Sequence, residues 1–431
     1  MKNIYTICFT LIICLGDLVA QETSYFFGDS AIISTYINPA LPLNKKVQVG
    51  LANLDVGWNS GDISYGDIVS KNAAGNRYLD PVEAKLELGG IHQFSWYADI
   101  RTLDLGFRFK KFGILLGHGF RHLGQVAFSS DLLLLYLHGN EPYIGKTLNL
   151  EVTPDINAYN ELYVGGQYYL KTYTFGIKYK LLYGIANSNT EASKLDLTTD
   201  ENYYELFLDK DYTLRSSGLV NYFENDSITI DFPRLTFDNL FYNNRGFALD
   251  LGFSGKVSSH VDVSLSVTDL GRIKWDFTPR KFTAQGQSKF SGFDILQFTK
   301  DTTGFSIQDS LSELLNIERS IETYTTPLGG MFTLGGKYIT KRWTFGGIIQ
   351  YNALYTKPII HSTISAIRKF KFLEVGASGS IYPNSIFNIG LMAKVNMDPI
   401  AFYFSLSNVP GIFNIERTRN NSGSFGLMAR F

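Results

Sequence analysis

Residues 245–257 read RGFALDLGFSGKV, with Phe247, Leu249, Leu251, Phe253 and Val257 at odd positions and Ala248, Asp250, Gly252, Ser254 and Lys256 between them. Side chains along a strand point alternately to two faces, so this stretch has one greasy face and one small or polar face. The same alternation runs through residues 173–185, with Tyr173, Phe175, Ile177, Tyr179, Leu181, Tyr183 and Ile185 in phase. It returns in 261–267, 371–381, 385–395 and 399–407, and in the last residues, where Phe425, Leu427, Ala429 and Phe431 alternate with Ser424, Gly426, Met428 and Arg430. Segments of about ten residues with alternating hydrophobicity, separated by turn signals, are the pattern of transmembrane barrel strands. The expected fold class is therefore all-β, a transmembrane antiparallel barrel.

The connections add a second regularity. Some joints hold two or three residues, as at Lys110-Lys111, Lys171-Thr172, Ser258-Ser259-His260, Thr340-Lys341, Lys369-Phe370-Lys371 and Asn396-Met397-Asp398. Others are long, above all residues 59–91, 128–146, 187–244, 276–327 and 408–420, with shorter links near Thr356-Lys357 and Pro383-Asn384. Short and long alternate along the chain, which predicts fourteen strands between residues 46 and 431, both ends of the barrel periplasmic, and the long loops outside. Strandlike residues inside 187–244, such as Ser227 to Phe232, could add a pair and make sixteen. Residues 304–322 have mixed helical spacing and are expected to hold a short amphipathic helix in an outer loop.

Upstream of the strands, Met1-Lys2-Asn3 is followed by an apolar run over residues 4–15 and by Leu18-Val19-Ala20 before Gln21. That reads as a signal peptide, residues 1–20, because an apolar core of about a dozen residues is too short for a membrane helix, which takes roughly 20. Both cysteines, Cys8 and Cys14, fall inside it. The remainder thus has no disulfide, thiolate metal site or cysteine nucleophile to offer. A formal charge of −1, from 39 Lys and Arg against 40 Asp and Glu, gives no basic footprint for nucleic acid.

No catalytic constellation emerges, so the expectation is a protein that is not an enzyme and carries no cofactor. Of the six histidines only His118 and His122 are close in sequence, and a strand would hold them about 13 Å apart, too far to share a metal. Ser254 and Ser378 follow Gly-x, but Lys256 and Ser380 stand where a nucleophile elbow needs its second glycine. Gly117, Gly119 and Gly124 lack the spacing of a dinucleotide turn. Asp250 and Asp262 face inward by the alternation; as a pair they would suit acid-base work, but an ion-pair lining with Lys178, Lys180, Lys256 and Lys337 is the expected arrangement.

Residues 21–45 precede the first strand and contain Ile37-Asn38-Pro39-Ala40. An Asn-Pro-Ala turn ahead of fourteen strands and an aromatic last residue resembles the long-chain fatty acid transporter (FadL)-like group of outer-membrane barrels. Within it, the chain is similar to a Bacteroidota family of unknown function related to the PorV-type barrels of type IX secretion, and Ser266 to Trp275 (SVTDLGRIKW) looks like that family's strand ending. The resemblance implies an outer-membrane barrel over residues 46–431. It also implies that residues 21–45, with Asn38, Pro39 and Ala40, fold into the lumen as a plug, and that the insertion machinery reads Phe431. The partners implied are outer-membrane lipid and either a small hydrophobic compound, taken up or held by a monomer, or a secreted or surface protein held by a PorV-like scaffold.

Orientation and alternation together yield one sharper expectation. Near the periplasmic strand ends the inward positions are Arg108, Lys256, Lys337, Lys394 and Arg430, with Lys178 just inside an ascending strand, while inward acids are fewer. These six would ring the lumen as a collar and bind carboxylates of the plug, with Glu22, Asp29 and the terminal carboxylate of Phe431 as candidates.

Overall fold

A computed structural model describes residues 23–27, 32–71, 75–79, 86–218, 220–222, 228–230, 236–290, 315–353, 358–382 and 387–431. Fourteen strands form the wall: β1 Val47–Asn59, β2 Ile91–Arg108, β3 Phe112–Ser129, β4 Val152–Leu170, β5 Tyr173–Thr199, β6 Arg245–Lys256 and β7 Val261–Trp275 make the first half. The second half is β8 Tyr324–Ile339, β9 Trp343–Asn352, β10 Ile359–Lys369, β11 Leu373–Ile381, β12 Asn388–Met397, β13 Ile400–Leu406 and β14 Asn420–Arg430. Each pairs antiparallel with the next, and β1 pairs with both β2 and β14, so the sheet closes with no free edge. Closure matters because an unpaired edge in an apolar medium would strand backbone donors and acceptors.

The alternation is kept in space. Along β5, Tyr173, Phe175, Ile177, Tyr179 and Leu181 are exposed on the outer surface, and Thr174, Lys178 and Lys180 between them are buried. At one end the strands meet in tight turns, including 109–111, 171–172 and 340–342, and at the other in long loops. Fourteen strands stand rather than sixteen. Beyond the long-loop end, β5 continues and pairs with residues 206–217, which pair with 279–290, which pair in turn with 318–320, so the extra strands form an outer sheet and not wall. In that sheet Lys281 and Arg215 converge on Glu322, whose carboxyl is held below the usual range by the Lys281 hydrogen bond first and the Arg215 charge second. The helix expected in 304–322 lies largely outside the described residues. An outer helix not foreseen, Ser130–His138, is capped by Ser129, whose Oγ accepts from the Leu132 amide at 3.2 Å.

Wall height is uneven. β5 has 27 residues and β2 to β4 have 18 or 19, against 10 in β9, 9 in β11 and 7 in β13. Bulges break the register of three of the strands that carry the interior polar residues. They fall between Leu51 and Leu54 in β1, between Arg101 and Leu103 in β2, and at Asp269 in β7, where φ is +62°. Each inserts one residue, so the side chains on either side of it swap faces.

Candidate functional site: the lumen and its charged layer

The N-terminal segment lies inside the barrel. Its short turns, Thr23–Phe26 and Ile32–Tyr36, bring Tyr25, Phe26, Phe27, Ile32, Ile33, Ile37, Leu41 and Leu43 into one cluster with wall residues Leu115, Ile348, Ile367, Met392 and Met428. An irregular backbone buried at this depth needs partners for its own amides and carbonyls. The wall supplies them. Lys178 Nζ donates to the Thr35 carbonyl (2.8 Å), Lys337 Nζ to that of Tyr25 (2.9 Å), Ser266 to Ile37 (2.7 Å) and Ser254 to Ala40 (2.7 Å). Gln167 Nε2 donates to both Pro39 and Leu41, and Arg108 to Leu43. Asn38 sends its amide to the carbonyls of Phe253 and Leu265 on β6 and β7 (3.0 and 3.1 Å).

Asn38-Pro39-Ala40 fits at this point because the wall has no side chain there. Gly176 of β5 and Gly252 of β6 are register partners. A Cβ built on Gly176 would stand 2.3 Å from the Pro39 carbonyl carbon, and one on Gly252 would stand 2.1 Å from Asn38 Oδ1.

These contacts revise the expected collar. Arg108, Lys178 and Lys337 do reach the segment, but through main-chain carbonyls and, for Lys178, the Thr35 hydroxyl as well, not through carboxylates. Lys394 pairs with Glu374 (3.1 Å) and lies over the Phe27 ring (5.5 Å), and Arg430 bonds Asn396 (2.8 Å). Lys256 is exposed rather than lumenal. Lys178 stands opposite Asp250, six residues along β6 from Lys256, which is about 20 Å of strand. Lys178 thus lies deeper than the other five, and with Lys256 exposed the six do not form one continuous lumenal ring. Glu22 and Asp29 lie outside the described residues. Phe431 is exposed, and its backbone exchanges two hydrogen bonds with Val47 at the seam between β14 and β1 (2.8 and 3.1 Å). Asp250 and Asp262 do not meet, since Asp262 is the register partner of Lys256, again six residues from Asp250.

The densest chemistry lies midway up; the sequence led us to expect only its Lys180–Asp250 pair, which is present at 2.9 Å. Asp99 and Arg101 of β2, Arg121 of β3, Glu161 of β4, Lys180 of β5, Asp250 of β6 and Asp269 of β7 form one buried network with side chains 0–5% exposed. Arg101 bridges Asp99 (2.5 Å) and Glu161. Arg121 bridges Asp99 (3.1 Å) and Asp269 (2.6 Å), and Lys180 bridges Asp250 (2.9 Å) and Asp269 (2.5 Å). Four acids face three bases, and Lys178, opposite Asp250 in register, evens the count. Beneath the layer the Tyr36 and Tyr163 hydroxyls both donate to Asp104, and Arg101 stacks on the Tyr36 ring (4.8 Å). Tyr36 is therefore where the N-terminal segment meets the charged layer. The expectation that inward acids are fewer than the six collar cations is corrected by Asp99, Asp104, Glu161 and Asp269, buried in addition to Asp250, which was expected to face inward.

Beyond the layer, toward the long loops, the lumen holds a cavity of ≈ 90 Å³. Tyr97, Tyr382, His361, Leu123 and Ile359 give it aromatic and apolar walls, and Asn352, Asn420 and Gln350 give it amides. Arg121 forms its floor and also belongs to the charged layer. His361 stacks on Tyr382 (5.1 Å) and meets Gln350 Oε1 (2.8 Å). The buried Nδ2 of Asn420 has no hydrogen-bond partner. His118 and His122 meet Thr102 and Trp96 respectively, each within hydrogen-bond distance.

Together these features define a closed fourteen-stranded barrel with an apolar outer surface, whose interior is filled from the short-turn end by the chain's own N-terminal segment and crossed by buried ion pairs. The chain belongs to a family of unknown function, DUF5723, whose model matches residues 39–406. Comparison with curated proteins gave no match. Among solved structures the chain is similar to the toluene transporter TbuX of Ralstonia pickettii, with 9% identity, 94% of each chain covered and a TM-score of 0.47. It is also similar to the toluene transporter TodX of Pseudomonas putida (10% identity, 94% and 93% covered, TM-score 0.39). A third is the translocator domain of the autotransporter NalP from Neisseria meningitidis (8% identity, 90% and 89% covered, TM-score 0.35).

Proposed function

We propose that the chain is an outer-membrane barrel that takes up or holds a small, largely apolar compound, with its short turns in the periplasm and its long loops outside. The observation that carries this reading is the cavity above the charged layer. It joins aromatic and apolar walls to a few amides, and Arg121, one of its lining residues, is held in the buried ion pairs beneath it. In this reading the N-terminal segment acts as a plug and the ion pairs as a second closure. The test is native mass spectrometry of the purified chain for co-purifying small molecules, with Tyr382→Ala and Leu123→Trp as variants that alter the cavity. Loss of the bound species in both supports the reading. Free passage of small sugars through the intact protein into liposomes overturns it. One observation favours a second reading, a scaffold for a secreted or surface protein: β5, 206–217 and 279–290 form a paired sheet beyond the fourteen-stranded wall. A protein in place of a small molecule in the same co-purification would support that reading.

A further inference from the structure

The outer surface of β6 and β7 records where a membrane would end. On β6 the outward residues from the short-turn side are Val257, Phe253, Leu251, Leu249 and Phe247, and on β7 they are Val261, Val263, Leu265, Val267 and Leu270. Ten residues at 3.3 Å, tilted by about 40°, give a height of about 25 Å, which is the apolar band of an outer-membrane barrel. The next outward residues on both strands are basic: Arg245 on β6, and Arg272 then Lys274 on β7, all exposed.

The register sets them side by side. Arg272 is the partner of Phe247, and Gly246 is the partner of Ile273, which places Arg245 next to Lys274 one step farther out. The three cations thus occupy neighbouring strands about 5 Å apart, within two steps of each other. Lys274 is partly offset by Asp276 at 3.1 Å. Among the described residues neither arginine has a carboxylate partner. Arg245 lies on the Tyr242 ring (4.6 Å) with its Nε donating to the Tyr242 carbonyl (3.1 Å), and Arg272 lies on the Phe247 ring (5.5 Å). Both guanidinium groups sit over aromatic rings with donors left to bind an anion. The last outward positions of β9, β10 and β11 are uncharged instead: Tyr351, Ile360 and Ile381.

We propose that Arg245, Arg272 and Lys274 bind the phosphate-bearing headgroup of an anionic lipid in the outer leaflet, with its acyl chains lying on the apolar outer face of β6 and β7. The inference rests on the barrel lying in a membrane with its long loops outward. The occupant is a lipid and not a free anion because the cations continue directly into the exposed apolar band. A planar guanidinium can take two phosphate oxygens at once, so two arginines beside a lysine suit a headgroup with more than one phosphate.

The experiment is native mass spectrometry of the full chain in neutral detergent, titrated with a bisphosphorylated diglucosamine acyl lipid, with phosphatidylcholine and with inorganic phosphate. Each basic residue near an anionic headgroup contributes roughly fivefold in affinity. Arg245→Gln with Arg272→Gln should therefore weaken retention of the bisphosphorylated lipid about 25-fold, while Arg245→Lys with Arg272→Lys keeps most of it. Lys341→Gln, at the short-turn end, should change nothing. Equal retention by the Gln double variant and the parent overturns the proposal, as does equal binding of phosphatidylcholine or full competition by inorganic phosphate. Heat-modifiable insertion into phosphatidylcholine vesicles is scored separately, so a failure of the membrane reading is distinguishable from a failure of this site. If the double variant inserts poorly, Arg272→Gln alone should still show the fivefold loss.

Discussion

Replacing Gly176 by valine tests whether the N-terminal segment is held by the fit of Pro39 and Ala40 to the wall. The new Cβ would stand 2.3 Å from the carbonyl carbon and oxygen of Pro39 and 2.5 Å from the Ala40 nitrogen. All three are main-chain atoms, so no rotamer relieves the overlap and the segment must move by more than about 1 Å to reach ordinary contact. Overpacking of this kind costs about 2 kcal/mol. The same displacement breaks the bonds from Ser254 to Ala40 and from Gln167 to Pro39, both 2.7 Å long, at about 1 kcal/mol each. A total of about 4 kcal/mol raises the undocked population about a thousandfold. The probe is a cysteine at Ile33, which is 1% exposed, in a chain whose Cys8 and Cys14 are serine. Its reaction with a maleimide in detergent should be slow in the parent and accelerate by two to three orders of magnitude with Gly176→Val. An unchanged rate in a variant that is still a heat-modifiable barrel would refute the reasoning, since it would mean that the segment is fixed elsewhere.

Other expectations follow from the same geometry. Arg101→Met leaves Asp99 and Glu161 buried without this partner and should lower stability by about 3–5 kcal/mol, read as a lower midpoint in urea; an unshifted midpoint would mean that water enters the layer. Removing residues 21–40 takes away the segment but leaves the ion pairs, so rapid sugar entry into liposomes should require Arg101→Ala and Glu161→Ala as well, and full swelling with the truncation alone would assign closure to the segment. Deleting Phe431 removes two backbone bonds across the closing seam and should reduce the heat-modifiable fraction in membranes. On whole cells, cysteine at Gln285 of the outer sheet should react with an impermeant thiol reagent and cysteine at Ser258 should not; equal labelling would reverse or void the orientation.

The wall was legible in the sequence because period-two alternation is a local property, and each strand was located to within a few residues at its short-turn end. Of the charged layer only Lys180 and Asp250 were read as an inward pair; Asp99, Arg101 and Asp269 were not, for a specific reason. With Arg108 facing inward, strict alternation turns Asp99 and Arg101 outward, and the valines of 261–267 in the outward phase turn Asp269 outward too. The bulges between Arg101 and Leu103 and at Asp269 reverse the phase. A signal was present, since a charge on the lipid face at mid-depth costs about 2–4 kcal/mol, so acids and arginines falling in that phase were themselves evidence that it slips. The collar was misread differently. Charge counting looks for carboxylates, and the acceptors offered to Arg108, Lys178 and Lys337 are, apart from the Thr35 hydroxyl, main-chain carbonyls, which every residue has and no sequence pattern marks. The Asn-Pro-Ala motif was visible, but its glycine seat at 176 and 252 depends on a cross-strand pairing that the sequence does not display.

The unequal wall also sets a direction of approach. Asn352, Ile359, His361, Tyr382 and Asn420, which border the cavity, stand at or near the long-loop ends of β9, β10, β11 and β14, strands of 9 to 11 residues, while the opposite side rises with the 27-residue β5 into the outer sheet. The rim therefore slopes like the lip of a scoop. If the barrel takes up a solute as proposed, one descending along the axis from the tall side would meet the outer sheet first, whereas one travelling just above the lipid surface on the low side would face the aromatic lining with little wall to climb. In the proposed outer-membrane setting, such a mouth would favour solutes already concentrated at the membrane surface over those arriving from bulk water.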